Sequence, residues 1–391
     1  MLSVLSRARK SVGRAVIALA ALAVAACEPV GMTQGGPPID RSQPVPVALL
    51  VPGGSGQASD ELIARSLQNA ARLAVADLGN VRIDLRVYNT AGQPSRAASM
   101  ATQAVDEGAK IILGPVFAQE ANAAGLAVAS RGVNVLSFSN NTDIAGGNVF
   151  VLGPTFQNTA DRLSRFAVGQ GSGRIMVVHD RTAAGQSGRA AIERGVARAG
   201  GSVVATADYE FSQNGIVSAT PGIVERAQAT NAQALFLTAD TAGALPLVTQ
   251  LLRENGLPAD TARFIGLTRW DIPSATLSLP GVQGGWFALP DPGVYGQYDQ
   301  RYRAAYGEAP HPISGLAYDG VAAVGALLKR GPADALSGRA LTQGSGFVGV
   351  NGIFRLLSDG GNERGLAVAQ IRNNQVVVID PAPRSFGGAG F

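Results

Sequence analysis

Short, wholly apolar runs separated by longer amphipathic stretches recur along this chain, and that rhythm restricts the folds open to it. Val47-Ala48-Leu49-Leu50-Val51 is apolar at every position. A strand with one wet face alternates, whereas a strand covered on both faces does not, so this run belongs in a parallel sheet between layers of helices. The next segment predicts a helix from about Asp60 to Leu78, with Ile63, Leu67, Ala70, Ala74 and Leu78 at helical spacing and Ser59 as its N-cap. Arg82 to Tyr88 alternates strictly and predicts a strand near a sheet edge. A helix from about Pro94 to Glu107, a strand at Ile111-Ile112-Leu113 and a turn at Gly114-Pro115 into another helix complete the first set.

After Pro154 the rhythm restarts, with helices predicted at Arg162 to Val168, Gly188 to Ala199 and Ala244 to Asn255, and strands at Ile175 to Val178, Val203 to Tyr209 and Ala234 to Leu237. Two sets of strand-helix alternation predict two lobes, each a mainly parallel α/β sheet with helices on both faces. Ligand clefts in such sheets lie at the carboxyl ends of the strands, where the loops Pro52 to Ser59, Pro115 to Glu120, Ser137 to Thr142 and Asp180 to Gly185 are expected to converge. Toward the C-terminus Ile353 to Leu356, Ala367 to Arg372 and Gln375 to Ile379 read as strands, the last two joined by Asn373-Asn374, a pair suited to a tight hairpin. The folded part, roughly 340 residues, exceeds what one core usually serves. The expected division is 45–153 with 291–346 for lobe 1, 154–290 with 347–381 for lobe 2, and a mobile glycine-rich tail at 382–391.

The N-terminus carries a different message. Arg7, Arg9, Lys10 and Arg14 precede an uncharged run from Ala15 to Ala26 that is too short to span a bilayer and suits a signal-peptide core. The single cysteine, Cys27, follows in Val24-Ala25-Ala26-Cys27, which resembles a bacterial lipobox. Residues 1–26 are therefore expected to be a lipoprotein signal peptide, and 27–44 a lipidated cysteine with a flexible Pro/Gly tether. Acyl chains would hold the protein on the periplasmic side of the outer membrane, with the inner membrane as the alternative. Loss of the leader removes four of 32 basic residues and none of the 28 acidic ones, leaving 28 of each. A neutral product whose lysines are Lys110 and Lys329 offers no basic stripe for nucleic acid. One cysteine excludes an internal disulfide and a multi-thiolate zinc site.

Catalytic signals are weak. His179 and His311 are the only histidines and stand in no metal-ligand spacing; Gly344-Ser345-Gly346 lacks the context of a nucleophile elbow. Pro52-Gly53-Gly54-Ser55-Gly56 follows a strand and precedes a helix, yet lacks the lysine of a P-loop. No enzyme, cofactor or metal is expected. Polar residues at predicted strand ends are better candidates for orienting a ligand in an apolar hollow: Ser55, Ser137, Ser139, Asn140, Asn141, Asp180 and Thr182. Trp270, Trp286 and Phe287 read as core or hinge residues before interface anchors.

Four stretches, in this order, resemble a known family: Ile111-Ile112-Leu113-Gly114-Pro115; Val177-Val178-His179-Asp180 with Gly185; Gly315 to Gly320; and Phe347 to Phe354 followed by Asp359-Gly360. Together they are similar to the type I periplasmic binding fold, leucine-binding branch. The resemblance implies two α/β lobes joined by a three-strand hinge, and a non-enzymatic protein. Amino-acid binders of this family carry small hydroxyl residues after the glycine of the third strand, where this chain has Val116-Phe117-Ala118-Gln119-Glu120-Ala121, and a tyrosine where it has Ala184. Glu120 in that place would repel a ligand carboxylate; Asp240 is a loose match to the family's ammonium-binding acid. The altered pocket and Cys27 together look like the penicillin-binding protein activators, lipoproteins that stimulate peptidoglycan synthases. The expected function is therefore an accessory of a cell-wall synthase, the alternative being the receptor of an ABC importer for amino acids or other small polar molecules, partnered by its permease.

Overall fold

The structure, a computed structural model, describes residues 36–387 except 41, 260 and 331. The expected signal peptide and Cys27 lie outside the described residues, as does the tether up to residue 35.

In lobe 1, strands β1 (Val45–Val51), β2 (Ile83–Asn89), β3 (Ile111–Leu113), β4 (Asn134–Ser137) and β5 (Val149–Val151) form a parallel sheet in the order β2-β1-β3-β4-β5. The unbroken apolar run of β1 is explained by its two covered faces. Val47, Leu49 and Val51 enter one core cluster, which also holds Leu67 and Ala70 of α1 (Ala58–Asp77), while Ala48 and Leu50 enter another with Ala101 and Ala104 of α2 (Pro94–Asp106) and Ala124 of α3 (Ala118–Val128). The alternating β2 stands at the edge, as its pattern predicts. Helix α1 starts two residues before the expected Asp60, and Gln57, not Ser59, occupies its N-cap with no side-chain bond. Ser59 is already inside the helix.

Lobe 2 contains α4 (Phe156–Gly169), β6 (Arg174–Asp180), α5 (Ala183–Arg198), β7 (Ser202–Tyr209), α6 (Gln213–Ala229), β8 (Ala234–Leu237), α7 (Leu245–Glu254), β9 (Arg263–Gly266) and β10 (Trp286–Leu289). Again an interior strand, β6, divides its side chains, with Met176 and Val178 in one cluster and Ile175 and Val177 in the other. Helices α8 (Pro292–Tyr306), α9 (Gly315–Arg330) and α10 (Gly338–Leu341) then precede a three-stranded sheet of β11 (Phe347–Gly349), β12 (Gly352–Leu356) and β13 (Asn362–Arg364). Finally β14 (Ala367–Arg372) adds antiparallel to β10 and β15 (Gln375–Asp380) antiparallel to β14, giving the order β15-β14-β10-β9-β8-β6-β7. Asn373 and Asn374 both have positive φ, 51° and 63°, the geometry of a type I′ hairpin.

Core membership shows where the chain changes lobes. Leu152 packs in lobe 1 and Ala160 in lobe 2; Leu289 packs in lobe 2 and Tyr298 in lobe 1; Leu356 packs in lobe 1 and Leu366 in lobe 2. The third change falls later than the expected residue 347. Phe347, Val350, Phe354 and Leu356 bury their side chains in the lobe 1 core, and Asp319 of α9 accepts the Val350 N–H at 2.7 Å, which holds the β11–β12 turn to that lobe. Of the tail, the part up to Gly387 is described: Ala382 packs on the lobe 2 core, and the Phe386 ring lies 4.7 Å from the Arg355 guanidinium carbon.

Candidate functional site

Where the three crossings meet, the lobes enclose a cavity of about 510 Å³. Its walls combine the carboxyl ends of parallel strands with helix starts, turns and the crossings themselves. From lobe 1 come Val116 and Phe117 after β3, Phe138, Ser139 and Asn140 after β4, and Ile313, Leu316 and Asn351; from lobe 2 come Phe156 and Thr159 of α4, Leu267, Thr268, Arg269 and Ile272 after β9, and Leu289 and Leu366; Arg364 of β13, paired with β12 of lobe 1, stands at the third crossing. Gly114 sets the approach of the β3 loop. Its φ is +82°, and a Cβ there would stand 2.3 Å from the Leu50 carbonyl oxygen, so the chain turns to Phe117 where any side chain would collide with β1. On the other side, Thr155 and Asn158 form a reciprocal cap, each side chain accepting the other's backbone N–H at 2.9 and 3.2 Å, which fixes the first turn of α4 at the first crossing.

Behind the cavity lies a buried polar cluster. Asp319 and Arg364 pair at 3.3 Å, with side-chain exposures of 0% and 2%. The Asp319 carboxylate also accepts from the Asn351 amide at 3.0 Å, and the Arg364 Nε donates to the Leu152 carbonyl at 3.1 Å, so groups from α9, the β11–β12 turn, β13 and the first crossing are tied together. Burial pushes the Asp319 carboxyl up, against the opposing pull of Arg364 and Asn351. Nearer the opening, Arg269 gives Nε and Nη2 to Asp271, the Nε bond being 2.9 Å. The Thr268 hydroxyl oxygen is buried without a hydrogen-bond partner.

Only part of the expected site gathers here. Ser139 and Asn140 line the cavity. Ser137 is buried beside it, donating to the Pro115 carbonyl and accepting from the Ser139 N–H, and Asn141 accepts the Asp143 N–H and caps a short 3₁₀ turn. Ser55 accepts the Gln57 N–H within its own turn. Asp180 takes the N–H and hydroxyl of Thr182, whose hydroxyl in turn caps α5; neither residue reaches the cavity. Asp240 is exposed and does not line it. His179 closes on the neighbouring Asp180 carbonyl at 2.8 Å, and Trp270, Trp286 and Phe287 are core residues. Thr268, Arg269 and Arg364 escaped the sequence reading: β9 is a four-residue strand, and Arg364 stands in the polar run Gly361-Asn362-Glu363-Arg364-Gly365, which looks like an ordinary turn. Among the described residues no cluster of His, Cys, Asp and Glu suits a metal ion.

Glu120 does not face the cavity as expected. It is fully buried in the first turn of α3, and neither carboxylate oxygen has a hydrogen-bond partner. Burial pushes its carboxyl up; the Thr90 hydroxyl and Phe117 N–H, facing it without closing a hydrogen bond, pull the other way, and Asp60 adds to the rise. A carboxyl raised in the folded state contributes fully below its unfolded pKa, about 4.3, and that contribution is lost as pH rises through the folded value. Glu120→Gln is therefore expected to stabilise the protein at pH 7–8, where the unfolded carboxyl is ionised and the buried one must either hold its proton or carry an unpaired charge. The gain should vanish near pH 4 in paired urea titrations; an equal gain at both pH values would refute this account.

The chain belongs to the periplasmic binding protein family, whose model matches residues 44–375. Its fold is similar to a putative branched-chain amino acid ABC transporter protein of Rhodospirillum rubrum, at 20% identity and a TM-score of 0.73 over 86% of this chain and 100% of that one. A leucine binding protein of Thermotoga maritima is 18% identical with a TM-score of 0.57, covering 85% of this chain and 97% of its own. A solute binding protein of an ABC transporter from Rhodopseudomonas palustris, solved with 3,4-dihydroxybenzoic acid, is 17% identical with a TM-score of 0.60, covering 88% and 99%. No curated protein matches the sequence. Among the described residues no helix is long and apolar enough to cross a membrane.

Proposed function

We propose that this protein is the periplasmic solute receptor of an ABC importer, closing its two lobes on a small organic molecule by bending at the three crossings. The observation that carries this reading is the inter-lobe cavity, apolar over most of its wall, with a few polar groups converging from both lobes. The likenesses are to transporter binding proteins, which favours a receptor over the cell-wall synthase activator as the first reading. Leucine is named for one of them and a dihydroxybenzoic acid for another, so the fold itself selects no cargo. Thermal unfolding of residues 28–391 with a ligand panel tests the reading. A ligand held only by the folded state contributes about 2.7 kcal/mol at 100 times its Kd, and a rise of several degrees is expected for one ligand class. A flat response across amino acids, organic acids and cell-wall fragments, together with capture of a peptidoglycan synthase, would return the activator to first place.

Attachment to the membrane through acylated Cys27 is part of the proposal, motivated by the apolar run and small residues before it. Cys27→Ala is expected to move the protein from the detergent phase to the aqueous phase in a phase-partitioning experiment. An unchanged distribution would remove the anchor.

A further inference from the structure

Among the described residues, the charged ones in the cavity wall are both cationic, Arg269 and Arg364, and no aspartate or glutamate lines it. The two acids nearest these cations are already engaged. Asp271 takes both Nε and Nη2 of Arg269, and Asp319 is bound by Arg364 and Asn351 behind the wall. An incoming ammonium group would thus meet the Arg269 guanidinium, with the cation of Arg364 buried and fully bonded behind it, and no free carboxylate to neutralise it. An incoming carboxylate meets the reverse situation. The Nη1 of Arg269 makes no hydrogen bond among the described residues, and the adjacent Thr268 hydroxyl is buried with no partner. These are two unspent donors on one wall, and an unpaired buried hydroxyl is destabilising until a partner engages it. Ser139, Asn140, Thr155, Thr159 and Asn351 add neutral polar groups, and the remaining wall is apolar and partly aromatic, with Phe117, Phe138 and Phe156 around the space.

We infer that the cargo is an organic carboxylate with an apolar body and no amine, its carboxylate held by Arg269 and Thr268. The inference rests on the receptor reading and deepens it by fixing the charge of the ligand. Glu120, the acid expected to repel a carboxylate, is buried outside the cavity and does not oppose this assignment.

Matched pairs test it, because they hold the apolar body constant while changing the amine. Calorimetric titration of the mature protein with 3-phenylpropanoate against phenylalanine, and 4-methylpentanoate against leucine, is expected to show the amine-free acid binding at least tenfold tighter in one pair or both. Thr268→Val, which keeps the side-chain shape, and Arg269→Gln are each expected to weaken that binding at least tenfold. The unfolding midpoint of each variant without ligand separates lost recognition from lost folding. Tighter or equal binding of the amino acids would overturn the inference and leave the receptor standing. Binding of an acid with no change in the Thr268→Val and Arg269→Gln variants would overturn the assignment of the carboxylate. No binding by any member of either pair, with no response to the wider panel, would remove the receptor reading and this inference together.

Discussion

Asp319→Ala is expected to lower the unfolding free energy by about 3–5 kcal/mol, the usual cost of removing one member of a buried ion pair. Arg364 cannot lose its proton to escape, so the substitution leaves a buried cation whose remaining bonds run to neutral groups, among them the Leu152 carbonyl. It also releases the Val350 N–H and the Asn351 amide, which fix the β11–β12 turn against α9. Urea unfolding of Asp319→Ala checks the magnitude. The companion variant Asp319→Leu/Arg364→Met removes both charges and is expected to be less destabilised than Asp319→Ala, since an apolar replacement of a buried pair is often tolerated. A single-variant loss under about 1 kcal/mol, or a double variant worse than the single, would show that the pair is not what holds the third crossing.

Trp270→Ala is expected to cost a further class of stability, about 3–5 kcal/mol, through the cavity left by a large buried ring. Trp270 is fully buried, and the chain leaves room for it on two sides: a Cβ on either Gly266 or Gly285 would stand 2.3 Å from the ring. That ring supports the segment carrying Thr268, Arg269 and Ile272 into the cavity wall. Truncation is therefore expected to weaken ligand binding as well as folding, and Gly266→Ala, which pushes on the ring from the other side, should do both. Chemical unfolding followed by the fluorescence of the remaining Trp286 reads the first effect, and calorimetry reads the second. Stability lost with affinity intact would uncouple the ring from the cavity wall.

Much of the architecture was legible because strand and helix periods are local properties. The apolar run Val47 to Val51 of β1, the alternation of β2 and the Asn-Asn hairpin each carry their own geometry. The late change of lobe was not legible, because Phe347, Phe354 and Leu356 are apolar in either lobe and only the partner surface decides which one they join. Candidate site residues suffered from the same ambiguity. Asp180, Thr182, Ser55 and Asn141 lie at strand ends as read, but they spend their side chains on nearby turns, which small polar residues do wherever the backbone offers an open N–H. Arg269 and Thr268 follow a strand too short to announce itself. Glu120, expected to repel a ligand carboxylate, is instead turned into the core by helix phase, which its sequence neighbourhood does not reveal.

Each lobe is assembled from two separated lengths of chain, and this has a consequence for birth rather than function. Lobe 1 lacks Phe347, Phe354 and Leu356 until most of the polypeptide exists, and in lobe 2 β10 has no antiparallel neighbour until β14 arrives. A chain emerging N-terminus first from a ribosome or a membrane pore therefore cannot finish either half early. Its decisive pairings span long sequence separations and form slowly. Delay of this kind keeps a polypeptide threadable, which is what passage through a narrow channel demands.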